Sequence, residues 1–136
     1  MVKIVETGLF LGEYSHSLTG GNRLALPKKI RSEISGDEVI LARGFESYIA
    51  GFDRKKWEKL AEKQLELPLY EEKGRLLRRQ MFAGAMVSSI DSQGRVVLPS
   101  GLKDFAGIEE KVVIIGAGDH FEIWESEKWQ EYSKKI

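Results

Sequence analysis

The sequence contains no cysteine and only two histidines, and both shortages limit its chemistry. Without cysteine, neither a disulfide scaffold nor a thiolate metal site can form. His16 and His120 have no second histidine at the i+4 spacing that is typical of metal ligands, so we expect no metal site and no cofactor. Because no constellation of nucleophile, acid and base stands out, we also expect no enzymatic activity and no small-molecule substrate.

Long apolar runs are missing as well. No segment approaches the ~20 apolar residues that a membrane-spanning helix needs, so we expect a soluble, cytoplasmic protein without a membrane partner. The formal net charge is zero, and a neutral chain binds polyanions poorly unless its cations are concentrated locally. Such a concentration exists in residues 22–31, which carry four cations and no acid.

An internal repeat with an offset of 72 residues organises the chain. Residues 91–99 read DSQGRVVLP and residues 19–27 read TGGNRLALP, so that Arg95 repeats Arg23. A chain that repeats itself in this way is best described as two copies of one small unit with a shared core. Since units of about 45 residues are marginal alone, we expect them to depend on each other or on other subunits.

Both copies predict a tight turn. The Asp91 carboxylate can accept hydrogen bonds from the next backbone amides, and Gly94 allows the positive φ that the turn requires. In the first copy the position of Gly94 is taken by Asn22, the non-glycine residue that best tolerates the left-handed region. We expect the strands on either side of each turn, such as 83–90 and 95–98, to pair with each other as a hairpin.

The residues after each turn alternate in polarity. Their aliphatic side chains fall on one face of a short strand, and Arg23 and Arg95 fall on the other. Pro27 and Pro99 end these strands, and each can occupy the first position of a short helix.

The rest of the pattern predicts a mixed α+β fold. Strands 38–42 and 47–52 form a second pair in the first copy, and strands 112–115 and 121–124 do so in the second. Two helices, to about residue 66 and from about 69 to 82, connect the copies, and Asp53 is expected to cap the first of them. Ser126 begins a terminal helix. The short antiparallel strands predict a barrel-like sheet.

The two arginines are the best candidates for a functional site. An arginine at the root of a two-stranded ribbon suits phosphates or the O6/N7 edge of guanine in a major groove. Lys28, Lys29 and Arg31 would supply phosphate contacts beside Arg23. The alternative is structural: Arg95 could instead form an intrachain salt bridge with Asp91.

These motifs closely resemble the MraZ family of bacterial transcription regulators. The pattern Asp-x-x-x-Arg, three residues and Pro is present in residues 91–99 and in degenerate form in 19–27, and Leu9-Phe-Leu-Gly12 precedes it. The resemblance covers nearly the whole chain. It implies two AbrB-like swapped-hairpin units in a double-split, β-barrel-like core. The implied boundaries are 9–55 for the first repeat, 56–82 for a helical bridge, 83–128 for the second repeat and 129–136 for a C-terminal helix.

The resemblance also implies a function. MraZ-like proteins form ring-shaped homo-oligomers in the nucleoid and bind repeated G-rich boxes in double-stranded promoter DNA of the division and cell-wall operon that includes their own gene, usually as repressors. The family's DNA-contacting arginines fall on Arg23 and Arg95, and Asn22 adjoins the first. The first copy lacks the family's Asp and the Lys-Gly before Arg23, which we expect to alter affinity. An AbrB-type antitoxin or protein-interaction scaffold is the alternative function.

Overall fold

A computed structural model describes residues 7–136, and the α+β class is confirmed. The strands of this part are β1 (Glu13–Ser17), β2 (Arg23–Ala25), β3 (Glu38–Arg43), β4 (Ile49–Asp53), β5 (Met86–Ser89), β6 (Arg95–Val97), β7 (Lys111–Gly116) and β8 (Phe121–Glu125). The helices are α1 (Lys28–Arg31), α2 (Arg54–Leu65), α3 (Glu72–Ala83), α4 (Ser100–Ala106) and α5 (Ser126–Ser133). None of the helices within this part has the length and hydropathy to cross a membrane.

The strands form two sheets that both mix the repeats. A six-stranded antiparallel sheet has the order β1-β7-β8-β4-β3-β5, and β2 pairs only with β6 in a separate two-stranded ribbon. The expected second pairs, β3 with β4 and β7 with β8, are confirmed. Within the described residues the larger sheet is open, with β1 and β5 at its edges, so the strands do not close into a barrel.

The prediction that each turn joins two paired strands is wrong. β1 pairs with β7 of the other repeat, β5 pairs with β3 of the other repeat, and β2 pairs with β6. Only the residues next to each turn bond across it, as where the Asp91 amide donates to the Arg95 carbonyl at 2.9 Å. A tight turn reverses the chain, but it does not choose the partner of the strands beyond it. Each repeat therefore completes its sheet with strands from the other.

The main core lies between the ribbon and one face of the six-stranded sheet. Leu24 and Val96 stand opposite each other in the ribbon and are 0% and 1% exposed. They belong to one cluster with sheet residues such as Leu41 and Ile114. The other face of the sheet carries a smaller aromatic cluster, in which α5 contributes Trp129. The alternation predicted for the strands after the turns is thus confirmed.

Helix starts differ from the sequence predictions in detail. Pro27 and Pro99 precede α1 and α4 by one residue, with extended ψ values of 146° and 138°, and are not the first helical residues. Asp53 does precede α2, but its carboxylate does not cap that helix. Instead its Oδ1 accepts the backbone N–H of Ser35 at 2.7 Å, because this buried carboxylate faces the loop before β3.

Stability should depend on the buried residue of β6, Val96, and hardly at all on its exposed neighbour, Val97. Val96→Ala removes two methyl groups from the core, and we expect the free energy of unfolding to fall by ~1.5–3 kcal/mol. The control is Val97→Ala on the same strand, where Val97 is 48% exposed, and we expect a change within about 0.5 kcal/mol. Urea denaturation measures both; equal losses would contradict the assignment of the ribbon to the core.

Candidate nucleic-acid interface

The ribbon brings the two candidate arginines together. Arg23 stands opposite Val97 and Arg95 stands opposite Ala25 in the β2–β6 register. All four side chains lie on the face opposite Leu24 and Val96, so this face points away from the core. Arg23 and Arg95 are diagonal neighbours, and such positions lie ~7–8 Å apart across an antiparallel pair. The duplicated arginines therefore lie on one face of the ribbon, to which each repeat contributes one of them.

Both turns beside the ribbon have the predicted backbone geometry. Gly94 has a φ of 77°, and Asn22 has a φ of 58° and is the non-glycine residue with positive φ in the described part of the chain. Thr19 and Arg23 close the first turn by reciprocal backbone hydrogen bonds of 2.9 and 3.3 Å. Asn22 can thus replace glycine without loss of the turn, as the sequence predicted.

The second turn is organised by Asp91. Its Oδ1 accepts the backbone N–H groups of Gln93 and Arg95, both at 2.9 Å, and its Oδ2 accepts Nε of Arg95 at 3.0 Å. The hydrogen bond from the Arg95 backbone is the largest cause that lowers the pKa of Asp91. Desolvation opposes it, and the bonds from Gln93 and from the Arg95 guanidinium add to the lowering. The salt bridge that the sequence left open is therefore present.

The ion pair orients the Arg95 guanidinium and leaves most of its N–H groups free of partners in the described part of the chain. A guanidinium has five N–H groups, and the bond to Asp91 uses only the one on Nε. Nη1 and Nη2 make no hydrogen bond within residues 7–136, so both can serve a ligand while Nε is held. A fixed guanidinium loses less conformational entropy on binding than a mobile one. The structural and the functional interpretations of Arg95 are thus compatible.

Arg23 is held differently because the first turn has Thr19 where the second has Asp91. Nη1 of Arg23 donates to the Gly20 carbonyl at 3.0 Å, and no carboxylate within the described residues pairs with it. The Arg23 charge is therefore not neutralised locally. The loss of the turn aspartate makes the first half of the site more positive than the second.

The cations after the first ribbon strand divide into two kinds. Lys28 and Lys29 are exposed on α1, directly after β2. Arg31 instead forms an ion pair between its Nη2 and Asp37 Oδ1 at 3.2 Å, and it also donates to the Ile34 carbonyl. Lys28 and Lys29 thus remain available to a polyanion, while part of the Arg31 guanidinium supports the loop before β3.

Lys103 is a residue of this site that the sequence reasoning missed. It lies on α4 of the second repeat, yet its Nζ donates to Asn22 Oδ1 in the first turn at 3.0 Å. The Asn22 side chain is therefore engaged within the protein, and the Lys103 ammonium adds a cation at the first turn. The repeat itself could have indicated this residue, because Lys103 follows Arg31 by the same offset of 72.

The fold and this site define a two-repeat protein with exchanged strands and a basic β-ribbon, and comparison with known proteins supplies the family. The family model described as "MraZ protein, putative antitoxin-like" matches residues 9–80 and again 81–136. The chain belongs to the MraZ family.

Individual relatives agree with this assignment. The chain is 42% identical over 125 residues to "Transcriptional regulator MraZ" of Leuconostoc citreum. These aligned residues are 92% of this chain and 87% of the relative. Its identity to the protein of the same name in Roseiflexus castenholzii is 42%, with coverages of 90% and 85%. For Lactobacillus johnsonii the identity is 40%, with coverages of 93% and 88%.

The ion pair in the second turn predicts a pH-dependent stability. Asp91→Asn keeps an oxygen for the backbone amides but removes the charge, and we expect a lower melting temperature at neutral pH. Because folding lowers the pKa of Asp91, the wild-type advantage is fully present above the unfolded pKa and disappears as pH falls through the folded pKa. Thermal melts from neutral pH to about pH 2 measure this difference.

The control for this experiment is Ser92→Ala, an exposed residue of the same turn. We expect it to melt like the wild type throughout the range. A difference between Asp91→Asn and wild type that does not change with pH would contradict the role of the carboxylate charge.

Proposed function

We propose that this protein is a non-enzymatic transcriptional regulator that binds double-stranded DNA through the β2–β6 ribbon. The observation that carries the proposal is the strand register, which puts Arg23 and Arg95 on one outward face. The major groove of B-DNA is wide enough for a two-stranded ribbon, and several regulators read DNA in this way. The names of the relatives agree with a role in transcription.

The side chains of the site suit different parts of the duplex. Arg23 and Arg95 contact base edges, where a guanidinium can donate two hydrogen bonds to O6 and N7 of guanine. Lys28 and Lys29 meet phosphates beside the groove, and Lys103 does so from the second repeat. Asn22 acts indirectly, because its Oδ1 already accepts a hydrogen bond from Lys103. Arg31 contributes less positive charge than the lysines, because its guanidinium is paired with Asp37. Binding thus needs both repeats, which differ in charge around a common ribbon.

The target we propose is the promoter of the division and cell-wall operon that includes the protein's own gene. Repeated G-rich boxes there would present several guanine edges at regular intervals, and occupancy would block access to the promoter in the nucleoid. A neutral protomer with one local patch binds such DNA weakly. Several protomers held side by side raise the effective concentration of each patch at the next box.

A ring-shaped homo-oligomer supplies that arrangement. We define as the bridge tip the exposed apolar residues around the connection of α2 to α3, which are Leu65, Leu67, Leu69, Tyr70 and Leu76. Contiguous exposed apolar residues are typical of protein–protein contacts. The bridge tip belongs to the helices between the repeats, and the ribbon belongs to the opposite side of the sheet, so contacts at the tip leave the ribbon open to DNA.

DNA binding is tested by fluorescence anisotropy on the DNA directly upstream of the gene, at several salt concentrations. We expect tight wild-type binding that weakens steeply with salt, because cations displace counterions from phosphates. Arg23→Ala and Arg95→Ala should each weaken binding by about 1–3 kcal/mol, as expected for base contacts. Lys28→Ala should weaken all sequences alike and reduce the magnitude of the salt slope by about one.

The control is Lys59→Ala, which removes the same charge from an exposed position on α2. We expect it to bind as the wild type does. Absence of wild-type binding at low salt with the oligomer intact would overturn the proposal for this DNA. Salt-insensitive binding to a protein partner would favour the antitoxin or scaffold function instead.

Oligomerisation is tested by sedimentation velocity. We expect the wild type to sediment as a closed oligomer at micromolar concentration, and the double variant Leu69→Ser/Tyr70→Ser to shift to smaller species, because it removes apolar area from the bridge tip. Phe105→Ser, which changes an exposed apolar residue on α4, is the matched control and should sediment as the wild type. If the double variant keeps the wild-type mass, the bridge tip is not the contact.

A further inference from the structure

The helices of the bridge do not pack closely on the sheet. No residue of α2 is buried, and only Gly74 of α3 is. Between these helices and the sheet lies a cavity of about 520 Å³, open to solvent on one side. Its apolar lining includes Phe52, Trp57, Leu60, Leu77 and Met81. The sheet contributes Ala42, Ala50 and Phe52, which alternate with the residues of the main core, so the cavity lies on the face away from the ribbon.

The volume of this open cavity falls within the range of ~300–1,000 Å³ that is typical of small-molecule sites. The wall is also built of flat rings in mutual contact. The Phe52 ring lies 5.1 Å from that of Trp57 and stacks on His120 at 5.5 Å, measured between centroids. Such a wall offers aromatic faces to a ligand and is held in place from two sides.

The charge of the lining is positive. Arg43 and Lys63 both line the cavity, and neither has an ion pair or a side-chain hydrogen bond with another residue of 7–136. Asp119 also lines it, but its carboxylate is bound to Nδ1 of His120 at 2.7 Å. Nε2 of His120 is bound to Glu122 at 2.7 Å, and these hydrogen bonds, that to Glu122 first, raise the pKa of His120. His120 thus bonds two carboxylates, of which only Asp119 lines the cavity, whereas the cations Arg43 and Lys63 have no carboxylate partner within residues 7–136.

We propose that this cavity binds a small amphipathic anion, a molecule with an aromatic or aliphatic body and one carboxylate or sulfonate group. The body lies against Phe52, Trp57 and Leu77, and the anionic group faces Arg43 and Lys63. An apolar lining with a few convergent polar groups is the usual composition of such a site. Binding is independent of the ribbon, because the two sites lie on opposite faces of the sheet, and the molecule is a ligand, not a substrate.

The occupied cavity would add contacts between the bridge helices, in which only Gly74 is buried, and the sheet. Lys63, Trp57 and Leu77 come from the helices between the repeats, Phe52 comes from β4, and His120 comes from the loop between β7 and β8. A ligand that contacts all of them stabilises the native state in proportion to the logarithm of its concentration over its dissociation constant. The melting temperature should therefore rise with ligand concentration.

The probe for the experiment is 1-anilinonaphthalene-8-sulfonate, a fluorescent molecule with an aromatic body and one sulfonate. Titration of the full-length protein should give one bound probe per protomer. Lys63→Gln should weaken binding up to about five-fold, as expected for one partly solvated charge contact. Lys59→Gln, one turn earlier on the same helix and outside the lining, should not. The neutral analogue N-phenyl-1-naphthylamine should bind wild type and Lys63→Gln equally.

The second part of the experiment uses variants that fill the cavity. Leu77→Trp places a large side chain in the cavity and should abolish binding of both probes. Arg79→Trp, at an exposed position of the same helix outside the lining and the bridge tip, should not. Leu60→Trp fills the cavity from α2 and serves if Leu77→Trp does not fold, as judged by circular dichroism. Equal binding by wild type and a folded cavity-filling variant would overturn the proposal, since the probe would then lie on the bridge tip. Binding that appears only as the oligomer dissociates on dilution would also overturn it, because a second copy would then fill the cavity.

Discussion

The fold depends on the exchange of strands between the repeats. A two-stranded ribbon of three residues on each side has little stability of its own, and it persists here because Leu24 and Val96 are buried against a sheet made by both repeats. That sheet is itself complete only when β1 joins β7 and β5 joins β3. Neither repeat can bury its apolar face alone, so the core, the ribbon and the proposed DNA site form or fail together.

The same exchange explains what the sequence could predict. The turns, the alternation after them and the second strand pairs depend on residues close in sequence, and local patterns are enough to predict them. The left-handed Asn22 is predictable too, because its backbone preference is intrinsic. Local patterns do not predict the pairing of β2 with β6, since the hairpin signal is identical whichever strand becomes the partner. Only the family resemblance, with its swapped hairpins, implies such an exchange.

The contacts of the candidate site also differ in whether they join residues near or far apart in sequence. The bond from Arg95 to Asp91 spans four residues and could be weighed from sequence, whereas that from Lys103 to Asn22 spans 81 and could not. The prediction that Asp53 caps α2 was wrong for a similar reason. Its buried carboxylate accepts a hydrogen bond from the backbone of Ser35, which is distant in sequence. The cavity under the bridge was beyond prediction as well. An apolar stripe on a helix shows that it packs, but not how far from the sheet it stands.

Joining two exchanged units in one chain has a consequence for how such a protein can diverge. In a dimer of identical chains every change in a turn appears twice, and a substitution that suits one side of the ribbon is imposed on the other. Covalent linkage removes that restriction. The turn with Asp91 and the turn with Thr19 have become different while they still serve one surface, so the molecule can present an asymmetric face to its partner from a nearly symmetric backbone.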